Sequence, residues 1–263
     1  MSRPPVFVGV TTLPSRIGRL RPTIDSLLAQ TLPPDRIFVS VPRRSVREGR
    51  EYVVPDWLLS PPPGVALVRC PTDSGPATKL LGCLPHIGTD ACLIVVDDDM
   101  AYKPELVERL YRAQVSRPDA AFSFFVFQVG RLRFGQGADG FSFWTPNLAG
   151  IEAFAEVALQ SRHLFVADDV WISLFLQNKG VSIESLQHTL PRGELVRDPT
   201  HAENQLSHLD GDLRPSNVIR EGTRYVFSTD LPRPRLRLLH WLGRAEGKLG
   251  SLGRRVRRGA AGH

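Results

Sequence analysis

The five residues Cys92–Val96, CLIVV, contain no polar interruption and run straight into three aspartates, Asp97, Asp98 and Asp99. A strand with one wet face alternates apolar and polar side chains. An unbroken apolar run suits a strand covered on both faces, as in a parallel sheet flanked by helices. Three carboxylates at its end repel one another and raise one another's pKa. The stretch therefore predicts a central buried strand whose carboxyl end faces something cationic, at the edge where open α/β sheets bind ligands.

The flanking sequence supports a sheet of that kind. Val6–Val10 reads as a strand. Ile17, Leu20, Ile24, Leu27 and Leu28 recur at helical spacing, residues 31–34 stop the helix, and 37–41 reads as a second strand. A strand–helix–strand unit favours parallel pairing. Further strands are predicted at 65–68 and over AAFSFFVF, and helices over ATKLLGCLPHI, 104–115 and 151–159, with a glycine-rich loop at 130–140. The expected class is an open, nucleotide-binding type of α/β fold. Neither GxGxxG nor GxxxxGK[ST] occurs, so dinucleotide and P-loop functions have no support.

Charge divides the chain. The net charge is +6, yet nine of the 33 basic residues and one of the 27 acidic ones lie in 231–263, leaving 24 against 26 elsewhere. A main domain of about 1–230 and a basic tail of 231–263 are expected, and nucleic acid is not an expected partner. The tail interleaves Leu236, Leu239, Trp241, Leu242, Leu249, Leu252 and Val256 with arginines, a pattern suited to peripheral contact with an anionic membrane. Three cysteines without CxxC spacing indicate no disulfide framework, and no apolar run nears the roughly 20 residues of a membrane span. The expected location is the cytoplasm, with the tail meeting the inner face of the membrane.

Three clusters carry chemistry. If the chain stays extended through the aspartates, Asp97 and Asp99 share one side and Asp98 takes the other. Two such carboxylates make a partial oxygen site for Mg²⁺ or Mn²⁺ that a diphosphate would complete, against the alternative of a polar turn. In FVADDVWISLFLQNKG, Asp168 suits an N-cap, Val170, Trp171, Leu174 and Phe175 form an apolar face, and Gly180 a C′ position. Asp169 is then left on the first turn as a candidate general base. Asp73, Gly75 and Lys79 surround a turn that opens a helix, suited to phosphate or to plain helix capping. Phe141, Phe143 and Trp144 offer a sugar-stacking surface or loop packing. His188, His201 and His208 follow the second acidic cluster as candidates for one further metal ligand, against the commoner case of a lone histidine that binds no metal, and the sequence does not choose among them.

Taken together, VTTLPSRIGRLRPTIDSLLAQTLPPDRIFVSVP, DSGPATKLLG, VVDDDMAYKPELVERL and DDVW resemble the GT-A-fold glycosyltransferases, particularly small family-2-like bacterial and viral enzymes, over residues 5–185. The resemblance implies a mostly parallel GT-A sheet. It implies that Thr11, Thr12 and Arg16 line the nucleotide pocket and that Asp73, Gly75 and Lys79 meet the nucleotide sugar or its phosphates. It further implies Asp97 and Asp99 as metal ligands for Mn²⁺ or Mg²⁺, Asp97 and Asp98 at the donor, and Asp169 as catalytic base. Asp168 stands where the family usually has glutamate. The implied reaction is sugar transfer from a nucleoside-diphosphate sugar, with UDP the expected nucleotide, to a hydroxyl of a glycan or lipid-linked acceptor, with inversion. Two competing readings are a phosphohydrolase, which would leave DDVW without a role, and an inactive carbohydrate- or membrane-binding module.

Overall fold

The computed structural model describes residues 3–191, 194–200, 213 and 215–245. Its strands are β1 (Val6–Val10), β2 (Arg36–Pro42), β3 (Val65–Cys70), β4 (Cys92–Val96), β5 (Met100–Tyr102), β6 (Ala120–Ser123), β7 (Val126–Val129), β8 (Leu132–Gly135), β9 (Phe141–Trp144), β10 (Ser182–Ser185) and β11 (Arg197–Pro199). Its helices are α1 (Arg21–Leu28), α2 (Asp56–Leu59), α3 (Thr78–Leu81), α4 (Leu106–Ser116), α5 (Ile151–Ala158), α6 (Arg162–Phe165), α7 (Asp168–Lys179) and α8 (Pro215–Ser228), followed by α9 at 234–245.

Seven strands form the central sheet in the order β10-β6-β9-β4-β1-β2-β3. Neighbours pair in parallel except at β9, which runs antiparallel to both β4 and β6. The expected double burial of β4 is seen directly. Cys92, Ile94 and Val96 enter the core under α1 and α4, while Leu93 and Val95 enter the one under α3, α5 and α7. Helix α3 sits so low on the sheet that a Cβ at Gly9 would fall 2.2 Å from the Lys79 carbonyl oxygen, and one at Gly82 would fall 2.6 Å from Ser40 Cβ. Glycine at these two positions is what lets α3 bring Lys79 down to the strand ends.

Several elements differ from the sequence reading. AAFSFFVF is not one strand: it breaks after Ser123, whose hydroxyl donates to the carbonyls of Phe125 and Gln136, and resumes as β7 in a separate hairpin with β8. The predicted loop 130–140 therefore contains a strand. The helix over ATKLLGCLPHI reduces to one α-turn between two 3₁₀ turns. Helix α7, read as amphipathic, is buried almost all round, because β8 covers one flank and α5, α6 and α8 the others. Gly180 ends it at φ 89°, with the Val181 N–H donating to the Leu176 carbonyl as in a Schellman cap.

Candidate active site

Strands β1 and β4 end side by side, and the turns that follow them meet. The chain does not stay extended past Val96: the three aspartates form the turn between β4 and β5. That turn is pinned by the Asp97 N–H, which donates to the Tyr102 hydroxyl (2.9 Å), and by the Thr23 hydroxyl, which donates to the Asp98 carbonyl (2.8 Å). The pairing of side chains consequently differs from strand alternation. Asp98 and Asp99 share one nitrogen of Arg16, at 2.8 and 3.0 Å, and Asp98 also accepts from the Thr12 hydroxyl at 2.5 Å. Burial pushes Asp98 up to about 6, with Asp99 and Asp97 adding to the rise, although Arg16 and Thr12 pull the other way. Asp99 is raised as well, by burial and by Asp97.

Asp97 turns to a different cation. Its Oδ1 accepts from Lys79 Nζ at 2.7 Å, and the same ammonium lies 3.1 Å from Asp168 Oδ2. Lys79 was expected to meet sugar or phosphate; instead its side chain is 3% exposed and clamped between two acidic motifs. Burial opposes the charge on Lys79, but Asp168, Asp97 and Asp169 outweigh it and raise Lys79 well above its ordinary value. Burial also works against the charge on Asp97, yet Lys79 holds that group below the usual carboxylate range. Asp168 is not the N-cap, since Ala167 takes that place and no side chain caps the helix. Asp168 is instead the first residue of the helix, with its carboxylate turned to the Lys79 ammonium.

Asp169 occupies the first turn of α7, and both its oxygens accept the Gly137 N–H, at 3.0 and 3.1 Å. Burial and the adjacent Asp168 raise it well above the carboxylate range. Gly137 is tightly enclosed: a Cβ there would fall 2.7 Å from Lys79 Nζ and 3.3 Å from Asp97 Oδ1. The loop before β9 thus closes over the Lys79 clamp and holds Asp169 at the same time.

A cleft of about 380 Å³ opens over these groups. The donor, metal and base residues implied by the resemblance all lie on its wall: Thr11, Thr12 and Arg16 after β1, Asp73, Gly75 and Lys79 at α3, the three aspartates after β4, and Asp168 and Asp169 at α7. Some are committed elsewhere. The Thr11 hydroxyl donates to the Ser40 carbonyl at 2.7 Å. Asp73 accepts the N–H groups of Val46 and Gly75, at 2.6 and 2.8 Å, and so shapes its own turn. Gly75 has φ 62°, and a Cβ there would strike the Phe165 carbonyl oxygen at 2.3 Å. Phe141 and Phe143 offer no sugar platform, being wholly buried in β9, while Trp144 is half-buried and donates to Asp90. His188 is absent from the cleft wall, and His201 and His208 lie outside the described residues.

Sequence reasoning missed several members. Arg197 on β11 lies on the cleft wall, and its Nε donates to Asp139 at 2.9 Å. Arg47 adds an exposed cation beside Arg16, while Phe127, Val218 and Ile219 supply an apolar wall. These groups come from segments without motifs, and only the folded chain brings them to β4.

The lining is acidic overall, with six aspartates against four arginine or lysine residues. Among the described residues no three acidic, histidine or cysteine side chains form a ready-made cage. Hard oxygen donors with excess negative charge nevertheless fit Mg²⁺ or Mn²⁺, which are commonly held through one or two carboxylates plus substrate phosphates.

A mostly parallel sheet with an acidic cleft at its carboxyl edge defines a class of open α/β folds that bind ligands beyond the carboxyl ends of their strands. Two solved structures are similar across most of the chain. One is the mannosyltransferase PcManGT from Pyrobaculum calidifontis in complex with GDP-Man and Mn²⁺, with TM-score 0.53 and 16% identity, covering 96% of this chain and 81% of that one. The other is TarS 1-349 of S. aureus in complex with UDP-GlcNAc, with TM-score 0.54 and 13% identity, covering 89% and 70%. At these identities the likeness concerns the fold. Residues 15–155 match the model of glycosyl transferase family 2, more than half of the chain, and the protein belongs to that family. The phosphohydrolase reading is set aside by that membership. No curated protein sequence matches.

Proposed function

We propose that this glycosyltransferase moves a sugar from a nucleoside-diphosphate sugar, with UDP as the expected nucleotide, to a hydroxyl of a glycan or lipid-linked acceptor, with inversion at the anomeric carbon. The observation that carries the reading is the convergence of two acidic motifs, Asp97 to Asp99 and Asp168 with Asp169, on one cleft. A donor site alone would need the first motif only.

In this reading Asp169 accepts the proton of the acceptor hydroxyl as attack occurs, a task for a carboxylate whose raised pKa makes it a stronger base once ionised. Gly137 fixes the orientation of that carboxylate through its N–H. Asp97, whose side chain is 35% exposed, and Asp99 would hold Mn²⁺ or Mg²⁺, which when bound supplies positive charge for the departing diphosphate. Arg16 keeps Asp98 and Asp99 in place, and Thr11, Thr12 and Arg47 border the space for the nucleotide. The nucleotide-sugar complexes of the two similar structures support a donor of this class.

The test is a thermal-shift screen of nucleoside diphosphates and their sugars, with and without Mn²⁺. Stabilisation by one nucleotide that requires the metal is expected, and silence from all of them would sink the reading. Asp99→Ala should abolish the metal-dependent response, whereas Asp169→Asn should keep it and lose transfer. Donor binding by the wild type without transfer to any acceptor would favour the inactive module.

A further inference from the structure

Helix α9 has two apolar faces, and the body of the protein uses one of them. On the inner face Leu236 is fully buried, Leu239 packs on the same core, and His240 stacks on Phe227 with ring centroids 4.1 Å apart. Gly243 lies against the β7–β8 turn so closely that a Cβ there would fall 2.7 Å from the Arg131 nitrogen. The root of the helix is clamped by the Asn178 amide, which donates to the Leu231 carbonyl (2.9 Å) and accepts the Arg233 N–H (2.6 Å). The position of α9 on the body is therefore fixed by packing and hydrogen bonds.

Among the described residues, the outer face is unpartnered. Leu238 is 54% and Trp241 63% exposed, one turn apart, with the exposed Arg237 next to Leu238 in the chain and the exposed Arg244 one turn beyond Trp241. Val129, 50% exposed, sits beside Gly130, which touches Gly243 from the neighbouring turn. Leu238 and Trp241 thus lie together on one face in the most basic part of the chain. The segment 231–263 carries nine basic residues and one acid, whereas the rest carries a slight acidic excess.

We infer that the outer face of α9 is a docking surface for an anionic lipid bilayer. The choice of partner follows from charge and polarity together. An exposed tryptophan and leucine need an apolar phase, which a nucleic acid backbone does not offer, and tryptophan in particular settles at the membrane–water interface. The surrounding arginines repel a second copy of the same face and attract anionic headgroups. The acidic body is repelled, so α9 is the side that turns to the lipid. The inference is independent of the transfer reaction and needs no donor, metal or acceptor.

The experiment is sedimentation of the full chain with phosphatidylcholine vesicles, with and without a third of phosphatidylglycerol, at low and high salt. Binding to the anionic vesicles only, weakened by salt, is expected. Leu238→Glu with Trp241→Glu should weaken it at least ~10-fold, with the melting temperature unchanged because both side chains already face water. Wild-type binding by that double variant would overturn the inference, as would equal binding to neutral vesicles. A dimer in light scattering that the double variant dissolves would also overturn it, assigning the face to a second copy. If the double variant proves unstable, Trp241→Ser with Arg244→Ser provides the same comparison.

Discussion

Replacing Lys79 by methionine removes the ammonium between Asp97 and Asp168 while keeping most of the side-chain volume. Removing one member of a buried ion pair costs about 3–5 kcal/mol, because the partner is left as an uncompensated charge. Two carboxylates lose their cation here, but unequally. Asp97 is 35% exposed and relaxes into the cleft; Asp168, 5% exposed, has no such outlet. One stranded charge places the loss near about 3 kcal/mol. For a chain of this size that corresponds to a melting temperature lower by about 6–12 °C. The sign of the pH dependence follows from Asp168. Without Lys79 its folded-state pKa rises further above the unfolded value, so its contribution is harmless at low pH, where it is protonated in both states. Stability is then lost as pH rises through the folded pKa. The deficit of Lys79→Met should therefore be small near about pH 4, where an ordinary carboxylate begins to ionise, and widen toward about pH 8. Adding Asp168→Asn should recover part of it, with a coupling of about 1–3 kcal/mol. Unfolding in urea for the wild type, both single variants and the double variant measures all of this. A deficit that is negligible at every pH, or additive in the double variant, would refute the clamp.

Two further outcomes follow from the same groups. Gly137→Ala places a Cβ 2.7 Å from Lys79 Nζ, an ammonium that is pinned on two carboxylates. It should cost about 1–3 kcal/mol and lower kcat for transfer far more than it changes donor KM, read by urea melts and steady-state kinetics. Asp169 is raised well above the carboxylate range by burial and Asp168, and a base works only when ionised. Transfer should therefore increase with pH along a limb displaced upward from ordinary carboxylate values, and a rate–pH profile flat from about pH 4 to 8 would count against Asp169 as base.

The fold was legible where burial is decided by one strand at a time. β1, β2 and β4 are short apolar runs bounded by breakers, and each forms at its expected place. The β7–β8 hairpin escaped notice because Phe124 and Phe125 prolong the apolar run past the break at Ser123. The available signal was Gly130 with Arg131 between Val129 and Leu132, a two-residue turn with glycine at φ 59°. At the site, the residue types and their order were readable, but side-chain partners were not. Strand alternation put Asp97 with Asp99, whereas the turn after Val96 gives Asp98 and Asp99 to Arg16 and Asp97 to Lys79. Asp168 has the composition of a cap and the surroundings of an ion pair. Gly137 and Arg197 belong to no motif, and their importance arises only from contacts across the fold.

The antiparallel strand in the middle of the sheet also sets the order in which the chain can be assembled. β6 is synthesised before β9 but joins β4 only through it, so until β9 inserts, β4 has an open apolar edge and the β6–β10 pair has no sheet to join. Pairings this remote in sequence make for slow folding, and an unpaired apolar edge invites association with other chains. A chain cut within the predicted loop 130–140 would keep all three aspartates and yet aggregate, and the shortest fragment that closes the sheet runs through Ser185 at the end of β10.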